Sequence, residues 1–273
     1  MWLLGIALLF ACHRTPPAAK TGRVVSLSPS TTEAVYAVGG ELVGRSRYCD
    51  FPPEVKTLPE IGGYVDPSFE AILALHPSLV VGARGPAGSA IADRLAANGI
   101  ATYFPETESF TAIDAMILGI GERTGHADGG KKQVDALHAR IAKIEAAVAS
   151  LPRTRVLMVF GLAPLSVAGP GSFADEMLRR AGGTNVVTEG GAYPTMGVER
   201  VLALDPDVIV NAAMMEEGAA ERLRKDAPGW SRVRAVTTDH VVALKDEVVL
   251  RPGPRIGEGL GQLAHAIHPE VQP

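Results

Sequence analysis

Two glutamates and two tyrosines recur at matched positions in the two halves of the chain. Glu70 and Glu199 stand 129 residues apart, and Tyr64 and Tyr193 each precede one of them by six positions. A carboxylate in the first turn of a helix is stabilised by the helix dipole, so a matched pair of such carboxylates could bind a partner with two basic patches. A tyrosine offers a flat apolar ring with a polar tip, which suits contact with a large flat ligand. These residue types predict binding chemistry.

Motifs that would indicate bond-making chemistry are missing from the sequence. It contains no Gly-x-Ser-x-Gly elbow, no phosphate-binding loop and no His-Glu-x-x-His pair. The glycine-rich segment 161–171 matches no dinucleotide fingerprint and contains two prolines, so we expect it to be a connecting loop at the edge of a cleft. The seven histidines are isolated, and none shares a metal-ligand spacing with another ligand in one element. We therefore expect no catalytic residues, no metal site and no resident cofactor.

The recurring residues belong to a longer internal repeat. Residues 69–83 read FEAILALHPSLVVGA and residues 198–212 read VERVLALDPDVIVNA, which are identical at seven of fifteen positions. This separation is much longer than the period of a solenoid repeat, which is about 20–50 residues. The repeat therefore predicts two similar lobes, and the cleft between two lobes is a common place for a small ligand.

Length and composition agree with a two-lobed globular protein. The chain has 273 residues, of which 47% are hydrophobic and 21% charged, and its net charge is −4. This composition excludes a disordered chain and a basic nucleic-acid surface. The sequence has only two cysteines, so a disulfide scaffold and a cysteine-based metal site are also excluded.

The N-terminus has the pattern of an export signal. Residues 1–11 read MWLLGIALLFA, an apolar stretch too short to span a bilayer, which requires about 20 residues. The Leu-Phe-Ala-Cys sequence at 9–12 resembles a bacterial lipobox, in which Cys12 would carry the lipid. Residues 1–22 are therefore predicted to form a signal and a flexible tether. We expect a periplasmic or cell-envelope protein that contacts the membrane only through the lipid on Cys12.

Strand and helix patterns alternate along both halves, which predicts parallel sheets because parallel neighbours need crossover connections. In the first half the predicted strands are 23–27, 42–45, 79–81 and 101–104, and the predicted helices are 31–38 (capped by Ser30 or Thr31), 67–75, 90–98 and 110–124. In the second half the predicted strands are 155–160, 233–237 and 240–244, with helices at 172–181, 217–225 and 254–267 and the repeated helix and strand at 197–210.

One long helix is predicted between the two halves. Six apolar residues recur at spacings of three and four, which is typical of one apolar face of a helix: Val134, Leu137, Ile141, Ile144, Val148 and Leu151. This pattern predicts a helix over about 128–151 that joins the lobes rigidly. We therefore divide the chain into an N-terminal lobe (23–125), a bridging helix (126–152) and a C-terminal lobe (153–273).

Several segments resemble helical-backbone periplasmic binding proteins of ABC importers, which carry cobalamin, haem or iron–siderophore complexes. The segments are RVVSLSPSTTE at 23–33, YCDFPP at 48–53, LPEIG at 58–62 and the two Leu-x-Pro-x-hydrophobic repeats. The resemblance spans about residues 23–268 and is greatest to the cobalamin-binding members. With those members the chain shares the first cleft loop around Tyr48 and, in its second half, Phe160-Gly161, Gly182-Gly183 and Pro254-Arg255-Ile256.

The resemblance implies an α/β fold with two Rossmann-like lobes, mainly parallel sheets and one long bridging α-helix, with the ligand held between the lobes. It implies that Glu70 and Glu199 form salt bridges with arginines of the permease dimer. Matched residue by residue, it implies a cleft lined by Tyr48, Tyr64, Arg84, Ser166, Tyr193, Glu247 and Arg255.

The chain departs from the cobalamin-binding pattern at four positions. Tyr64 and Tyr193 stand where those proteins have tryptophans, Ala83 replaces a third tryptophan, and Ser166 replaces a phenylalanine. The aromatic clamp is therefore thinner. A corrinoid is the expected ligand, with an iron–siderophore complex or haem as alternatives, since tyrosine is a known haem-iron ligand. We expect a monomer that binds and releases its ligand without chemistry and has no nucleic-acid partner.

Overall fold

The structure, a computed structural model, describes residues 22–84, 88–213, 223, 229–244 and 247–272. The predicted signal, Cys12 and the predicted helix at 217–225, apart from residue 223, lie outside the described residues. The chain forms two β-sheets, and a long helix lies between them in the sequence. This is the expected α/β architecture of two lobes with mainly parallel sheets.

The N-terminal lobe contains four parallel strands in the order β2-β1-β3-β4. The strands are β1 (Val24–Ser26), β2 (Leu42–Arg45), β3 (Leu79–Val81) and β4 (Ala101–Tyr103). The helices are α1 (Pro29–Val38), α2 (Phe69–Ala74), α3 (Gly88–Ala96) and α4 (Phe110–Arg123), with a 3-10 helix at Pro53–Thr57. Both central strands, β1 and β3, are buried along their whole length, as expected for a parallel sheet covered on both faces.

The bridging helix α5 (Ala127–Val148) has 22 residues, which corresponds to a length of about 33 Å. Five of the six residues in the predicted apolar stripe lie on it and are buried: Val134, Leu137, Ile141, Ile144 and Val148. The sixth, Leu151, lies beyond the end of the helix and is half-buried. The apolar stripe packs against α1 and α4 on one side and against the last helix of the chain on the other.

In the described residues of the C-terminal lobe, five strands form a sheet in the order β6-β5-β8-β9, with β7 beside the first half of β5. The strands are β5 (Thr154–Leu162), β6 (Leu165–Val167), β7 (Gly183–Asn185), β8 (Val208–Asn211) and β9 (Val241–Ala243). Only β6 is antiparallel to its neighbour. The helices are α6 (Phe173–Arg180), α7 (Val198–Leu204), α8 (Arg234–Thr237) and α9 (Ile256–Ile267), with a 3-10 helix at Glu247–Leu250.

Both copies of the internal repeat fold in the same way, as a helix followed by a parallel strand. The first copy forms α2 and β3, and the second forms α7 and β8. At the matched positions His76 and Asp205 the backbone has positive φ values of 46° and 43°. Non-glycine residues seldom adopt this left-handed conformation, and here each one lies between its helix and a proline. The repeat therefore preserves an uncommon turn as well as a sequence pattern.

One hydrophobic core extends through both lobes. Val24 and Ile117 of the N-terminal lobe belong to the same buried cluster as Ile141 of α5 and Leu260 of α9. The rings of Phe110 and Phe173, one from each lobe, lie 5.8 Å apart between centroids. The lobes are therefore packed together and share the apolar face of α5. The division at 125/126 and 152/153 remains a prediction, which the separate sheets support.

Two local predictions were wrong, and one short strand was missed. The β-branched run 233–237 forms the short helix α8, because its backbone N–H groups bond within the segment, as from Thr237 to the carbonyl of Val233. Segment 161–171 contains the end of β5 and all of β6, which form an antiparallel hairpin where we expected a loop. Strand β7 was not predicted, since only three residues, including a glycine, form it.

Two predicted helix starts also need correction. Helix α1 begins at Pro29 with Ser28 at the N-cap, so Ser30 and Thr31 lie inside the helix. The second predicted helix begins after Ser68, whose hydroxyl accepts a hydrogen bond from the Ala71 N–H at 3.2 Å, and the preceding proline lies outside it. Hydroxyl caps of this kind satisfy N–H groups that have no partner within the helix.

Candidate functional site

A cavity of about 370 Å³ lies between the lobes. The N-terminal lobe contributes Ser28, Pro29, Ser30, Tyr64, Ala83, Arg84, Thr107 and Glu108, and the C-terminal lobe contributes Ala212, Glu247, Leu250, Arg251 and Pro252. Several of these residues directly follow β1, β3, β4 and β8. The carboxyl ends of strands in open α/β sheets are the usual place for a ligand, and this cavity is built there from both sheets.

A hydrogen bond fixes two of these loops relative to each other. The Ser28 hydroxyl accepts a hydrogen bond from the backbone N–H of Ala83 at 3.0 Å, which joins the loop after β1 to the loop after β3. The Ser28 side chain makes no capping bond to α1, and its hydroxyl also lies 2.8 Å from the Thr31 hydroxyl. A larger cavity of about 750 Å³ lies along α6 and β7, but it is lined only by α5 and the C-terminal lobe. The inter-lobe cavity is therefore the better candidate for a ligand site.

The two repeated tyrosines lie at this cleft, and each follows a glycine with positive φ. Gly62 has a φ of 95° and Gly191 a φ of 83°, a region that favours glycine, and each stands two residues before its tyrosine. The Tyr64 hydroxyl donates to the carbonyl of Arg84 at 3.2 Å. The Tyr193 hydroxyl donates to the Glu108 carboxylate at 3.4 Å, and its ring meets the Phe160 ring edge-on, with centroids 5.6 Å apart.

Glu108 accepts the hydrogen bond of Tyr193 from the other lobe, and its charge also acts on Tyr64. Burial, together with the negative charge of Glu108, raises the pKa of Tyr193 to about 12. Burial and, to a smaller extent, the negative charge of Glu108 also raise the pKa of Tyr64. Both tyrosines therefore keep their protons at neutral pH and act as hydrogen-bond donors with apolar rings. Sequence reasoning missed Glu108, although its place shortly after a predicted strand was a usable signal.

Tyr48 lies on the rim of the cleft and is 55% exposed. A Cβ on Gly63 would approach the Tyr48 ring to 3.3 Å, so the loop that carries Tyr64 packs closely beside Tyr48. The Arg47 guanidinium lies 5.9 Å from the centre of the Tyr48 ring. The structure therefore brings Tyr48 and Tyr64 to neighbouring positions on the N-terminal lobe.

The predicted residues Arg84 and Glu247 line the cavity, and each already has an ionic partner. Arg84 forms a salt bridge with Glu106 at 2.8 Å, in which both side chains are more than half exposed. Glu247 forms a salt bridge with Arg251 at 2.7 Å. The Arg84–Glu106 pair, exposed on both sides, contributes about 0–1 kcal/mol, so a ligand could displace it at low cost. The Glu247–Arg251 pair differs, because the Arg251 side chain is only 11% exposed.

A buried ion cluster closes the bottom of the cleft. The Glu33 side chain is 2% exposed, and its carboxylate accepts hydrogen bonds from Arg251 at 3.0 Å and from Arg255 at 3.0 and 2.7 Å. Arg251 also pairs with Asp50 at 3.1 Å and with Glu247. Burial lowers the pKa of Arg251, but hydrogen bonds and the charge of Glu33 outweigh it, so that pKa lies above its ordinary value. The cluster joins α1 to the C-terminal lobe.

Four predicted ligand residues lie outside the lining of the cavity: Tyr48 and Tyr193, whose contacts are given above, and Arg255 and Ser166. Arg255 is directed to Glu33 and stacks on the Phe51 ring, with 3.6 Å between its guanidinium carbon and the ring centre. Ser166 is half-buried on β6 and pairs through its backbone with Thr195, close to Tyr193. Contact of any of these four residues with a ligand remains a prediction.

The repeated glutamates lie on the surface of the protein. Glu70 is in the first turn of α2 and Glu199 in the first turn of α7, and both are exposed. The structure therefore places the two carboxylates at equivalent points of the two lobes. Their docking role remains a prediction.

The described part of the chain shows neither a metal-binding cluster nor a membrane-spanning helix. Within it, no group of three or more His, Cys, Asp or Glu side chains is arranged to hold a metal ion. Among the helices in the same residues, none combines the length and hydrophobicity needed to cross a bilayer.

Comparison with known proteins identifies relatives of the whole two-lobed unit. A family model for periplasmic binding proteins matches residues 24–248. The vitamin B12-binding protein of Salmonella typhimurium is 28% identical over 246 residues, which cover 90% of each chain. The solved structure of the Vibrio cholerae vitamin B12 binding protein BtuF is 26% identical with a TM-score of 0.76, covering 91% of this chain and 97% of that one. A periplasmic haem-binding protein from Pseudomonas aeruginosa is 29% identical with a TM-score of 0.78, covering 93% and 95%.

Proposed function

The chain belongs to the periplasmic binding protein family, and we propose that it captures a corrinoid between its lobes and delivers it to the permease of an ABC importer. Membership of this family implies a periplasmic location. Within the family, the protein is of the type that serves the uptake of vitamin B12, haem or iron–siderophore complexes. Its relatives are substrate-binding proteins, which is consistent with a function without catalysis.

The position of Tyr64 and Tyr193 at the cleft, bonded to Arg84 and to Glu108 of the N-terminal lobe, carries the proposal. One tyrosine comes from each lobe, and the Tyr193–Glu108 hydrogen bond spans the cleft between them. Aromatic rings supply a large apolar contact area at low cost in side-chain entropy, which suits a flat macrocycle. The vitamin B12-binding relative, matched over nine-tenths of both chains, supports the choice of a corrinoid as that macrocycle.

Ligand binding in this cleft needs polar groups as well as aromatic rings. The hydroxyl groups of Ser28 and Ser30 and the backbone around Arg84 line the cavity beside the rings. The Ser28 hydroxyl and the Arg84 carbonyl already bond to the Ala83 N–H and the Tyr64 hydroxyl, so the amide side chains of a corrinoid would share or replace these bonds. We infer that the protein holds the ligand by non-covalent contacts and that no bond is made or broken.

Haem is the alternative ligand, and two observations favour it. The haem-binding relative from Pseudomonas aeruginosa is as similar to this chain as the vitamin B12-binding relatives. A tyrosinate can ligate haem iron, and two tyrosines face the cleft. Against this ligation, the pKa of Tyr193 is raised to about 12 by burial and by Glu108, which opposes loss of the proton. An iron–siderophore complex is the third candidate.

The remaining proposals concern the surface and the N-terminus. Glu70 and Glu199 would bind arginines of the permease dimer, since both carboxylates are exposed at matched points of the two lobes. Cys12 would carry a lipid that holds the protein at the membrane. The protein would act as a monomer, because its two lobes already form the complete cleft.

Tyrosine substitutions test the proposed cleft directly. We expect Tyr64→Ala and Tyr193→Ala each to weaken cyanocobalamin binding about 10- to 30-fold, since a half-buried aromatic ring contributes about 1.4–2 kcal/mol. Tyr36→Ala is the matched control, because Tyr36 is 47% exposed on α1 and lies in a separate hollow beside Glu54 and Leu58. Equilibrium titration followed by corrinoid absorbance gives the three affinities. Equal affinities in all three variants would place the ligand elsewhere.

A further inference from the structure

The charged side chains of the cleft differ in whether they have an ionic partner. Both arginines that line the cavity are already neutralised by carboxylates. Arg84 pairs with Glu106 at 2.8 Å, and Arg251 is surrounded by Glu33, Asp50 and Glu247 at 2.7–3.1 Å. A ligand that enters the cleft therefore meets arginines whose positive charges are already balanced by carboxylates of the protein.

Glu108 is the carboxylate in the same cavity that has no cationic partner among the described residues. Its side chain is exposed, and its recorded hydrogen bond comes from the neutral hydroxyl of Tyr193. A neutral donor stabilises a carboxylate without cancelling its charge. Among the described residues, Glu108 therefore presents a negative charge without an ionic partner at the point where the two lobes meet.

We propose that Glu108 selects for neutral or cationic macrocycles that carry amide side chains and against macrocycles that carry free carboxylates. This inference rests on the proposed function and names the ligand class within it. Amide N–H groups around a corrin ring can donate hydrogen bonds to the Glu108 carboxylate, and bonds to a charged acceptor are stronger than neutral ones. A ligand carboxylate at the same place meets a like charge, which is a recognised cause of discrimination between partners.

The position of Glu108 also acts against metal ligation by the cleft tyrosines. A negative charge beside a phenol disfavours the phenolate, which is the form that binds iron. Glu108 lies within hydrogen-bond distance of Tyr193 and also raises the pKa of Tyr64 through its charge, after the effect of burial. The Glu108 carboxylate thus opposes haem binding in two ways. It repels the acidic side chains of haem, and it disfavours the tyrosinate that would ligate the haem iron.

Two corrinoids that differ by one charge provide the test. The probes are cyanocobalamin and its separated monocarboxylic acids, in which one propionamide is hydrolysed to a carboxylate. We expect at least one isomer to bind the unmodified protein about ten-fold more weakly than cyanocobalamin, because like charges about 4 Å apart repel by at least about 1 kcal/mol. In Glu108→Gln, which keeps a hydrogen-bond acceptor for Tyr193, the gap should fall below about three-fold.

A charge-matched variant controls for the change in net charge. Glu270→Gln removes one exposed carboxylate beyond the far end of α9, a helix of 12 residues and therefore about 18 Å long that starts beside Arg255. Glu270→Gln should leave the ten-fold gap unchanged. Thermal unfolding of both variants should match that of the unmodified protein, since both side chains are exposed.

The outcomes separate this inference from the proposed function. If cyanocobalamin binds and every monocarboxylic acid binds equally well, or if Glu108→Gln leaves the gap intact, the inference is wrong and the corrinoid function stands. If cyanocobalamin does not bind but haemin does, the proposed function is wrong. In that case, haemin binding that strengthens about ten-fold in Glu108→Gln would still support selection by Glu108, and unchanged haemin binding would overturn it.

Discussion

Replacing Glu33 should loosen the junction between the lobes. Its carboxylate is 2% exposed and is the shared acceptor for Arg251 and Arg255, whose side chains are 11% and 23% exposed. In Glu33→Gln the residue keeps its size and one acceptor oxygen but loses its charge. The two guanidinium groups are then left close together, with less negative charge to offset their mutual repulsion.

The size of the effect follows from the remaining partners. Removing one member of a buried ion pair costs about 3–5 kcal/mol, because the other charge is left buried without compensation. Here Arg251 retains Glu247 at 2.7 Å and Asp50 at 3.1 Å, so the loss should be smaller. We expect a destabilisation of about 2–3 kcal/mol, which for a chain of this size lowers the melting temperature by about 5–10 °C.

Differential scanning calorimetry of Glu33→Gln measures this loss, with Glu258→Gln as the matched control. Glu258 also forms an ion pair between elements, with Arg140 of α5 at 3.0 Å, but the two side chains are 42% and 54% exposed. An exposed pair contributes at most about 1 kcal/mol, so the control should melt within about 3 °C of the unmodified protein. If Glu33→Gln melted as close to it as the control does, the buried cluster would not stabilise the junction.

Two further predictions concern docking and ionisation. Glu70→Arg combined with Glu199→Arg should leave cyanocobalamin affinity unchanged but abolish uptake in a reconstituted transport assay; loss of affinity instead would place these glutamates in the ligand site. The ultraviolet titration of tyrosine should show that Tyr193, identified by comparison with Tyr193→Phe, ionises near pH 12, and that its pKa falls towards the ordinary 10.0 in Glu108→Gln. Because the folded-state pKa is raised, the stability contributed by protonated Tyr193 is present below pH 10 and is lost as the pH rises through about 12; an unshifted Tyr193 would contradict this.

The repeated helix and strand were predictable from sequence because the signals for both are local. The apolar stripe of α5 and the short β-branched strands, such as Leu79–Val81, each follow from the spacing of residues close in sequence. The same kind of local signal led to a wrong prediction of a strand at 233–237, where a short β-branched run forms helix α8. In a run of this length, packing against β8 and the surrounding loops decides the conformation, and propensity alone does not.

The cleft was only partly predictable, because its key contacts join distant parts of the chain. Tyr64 and Tyr193 were identifiable from the repeat, and the structure places both at the cleft. The pairing of Glu33 with Arg251 joins residues 218 positions apart, and no spacing rule indicates it. Glu108 was missed for the same reason, since its role depends on a tyrosine 85 positions away in the other lobe.

A direct competition for the cleft tests the central claim that the ligand is a corrinoid. Purified protein is mixed with equal amounts of cyanocobalamin and haemin and desalted, and the absorbance spectrum of the retained ligand is recorded. We predict a corrinoid spectrum at one ligand per protein, reduced in the Tyr64→Ala and Tyr193→Ala variants and unchanged in Tyr36→Ala. A haem spectrum from the same mixture would contradict the account.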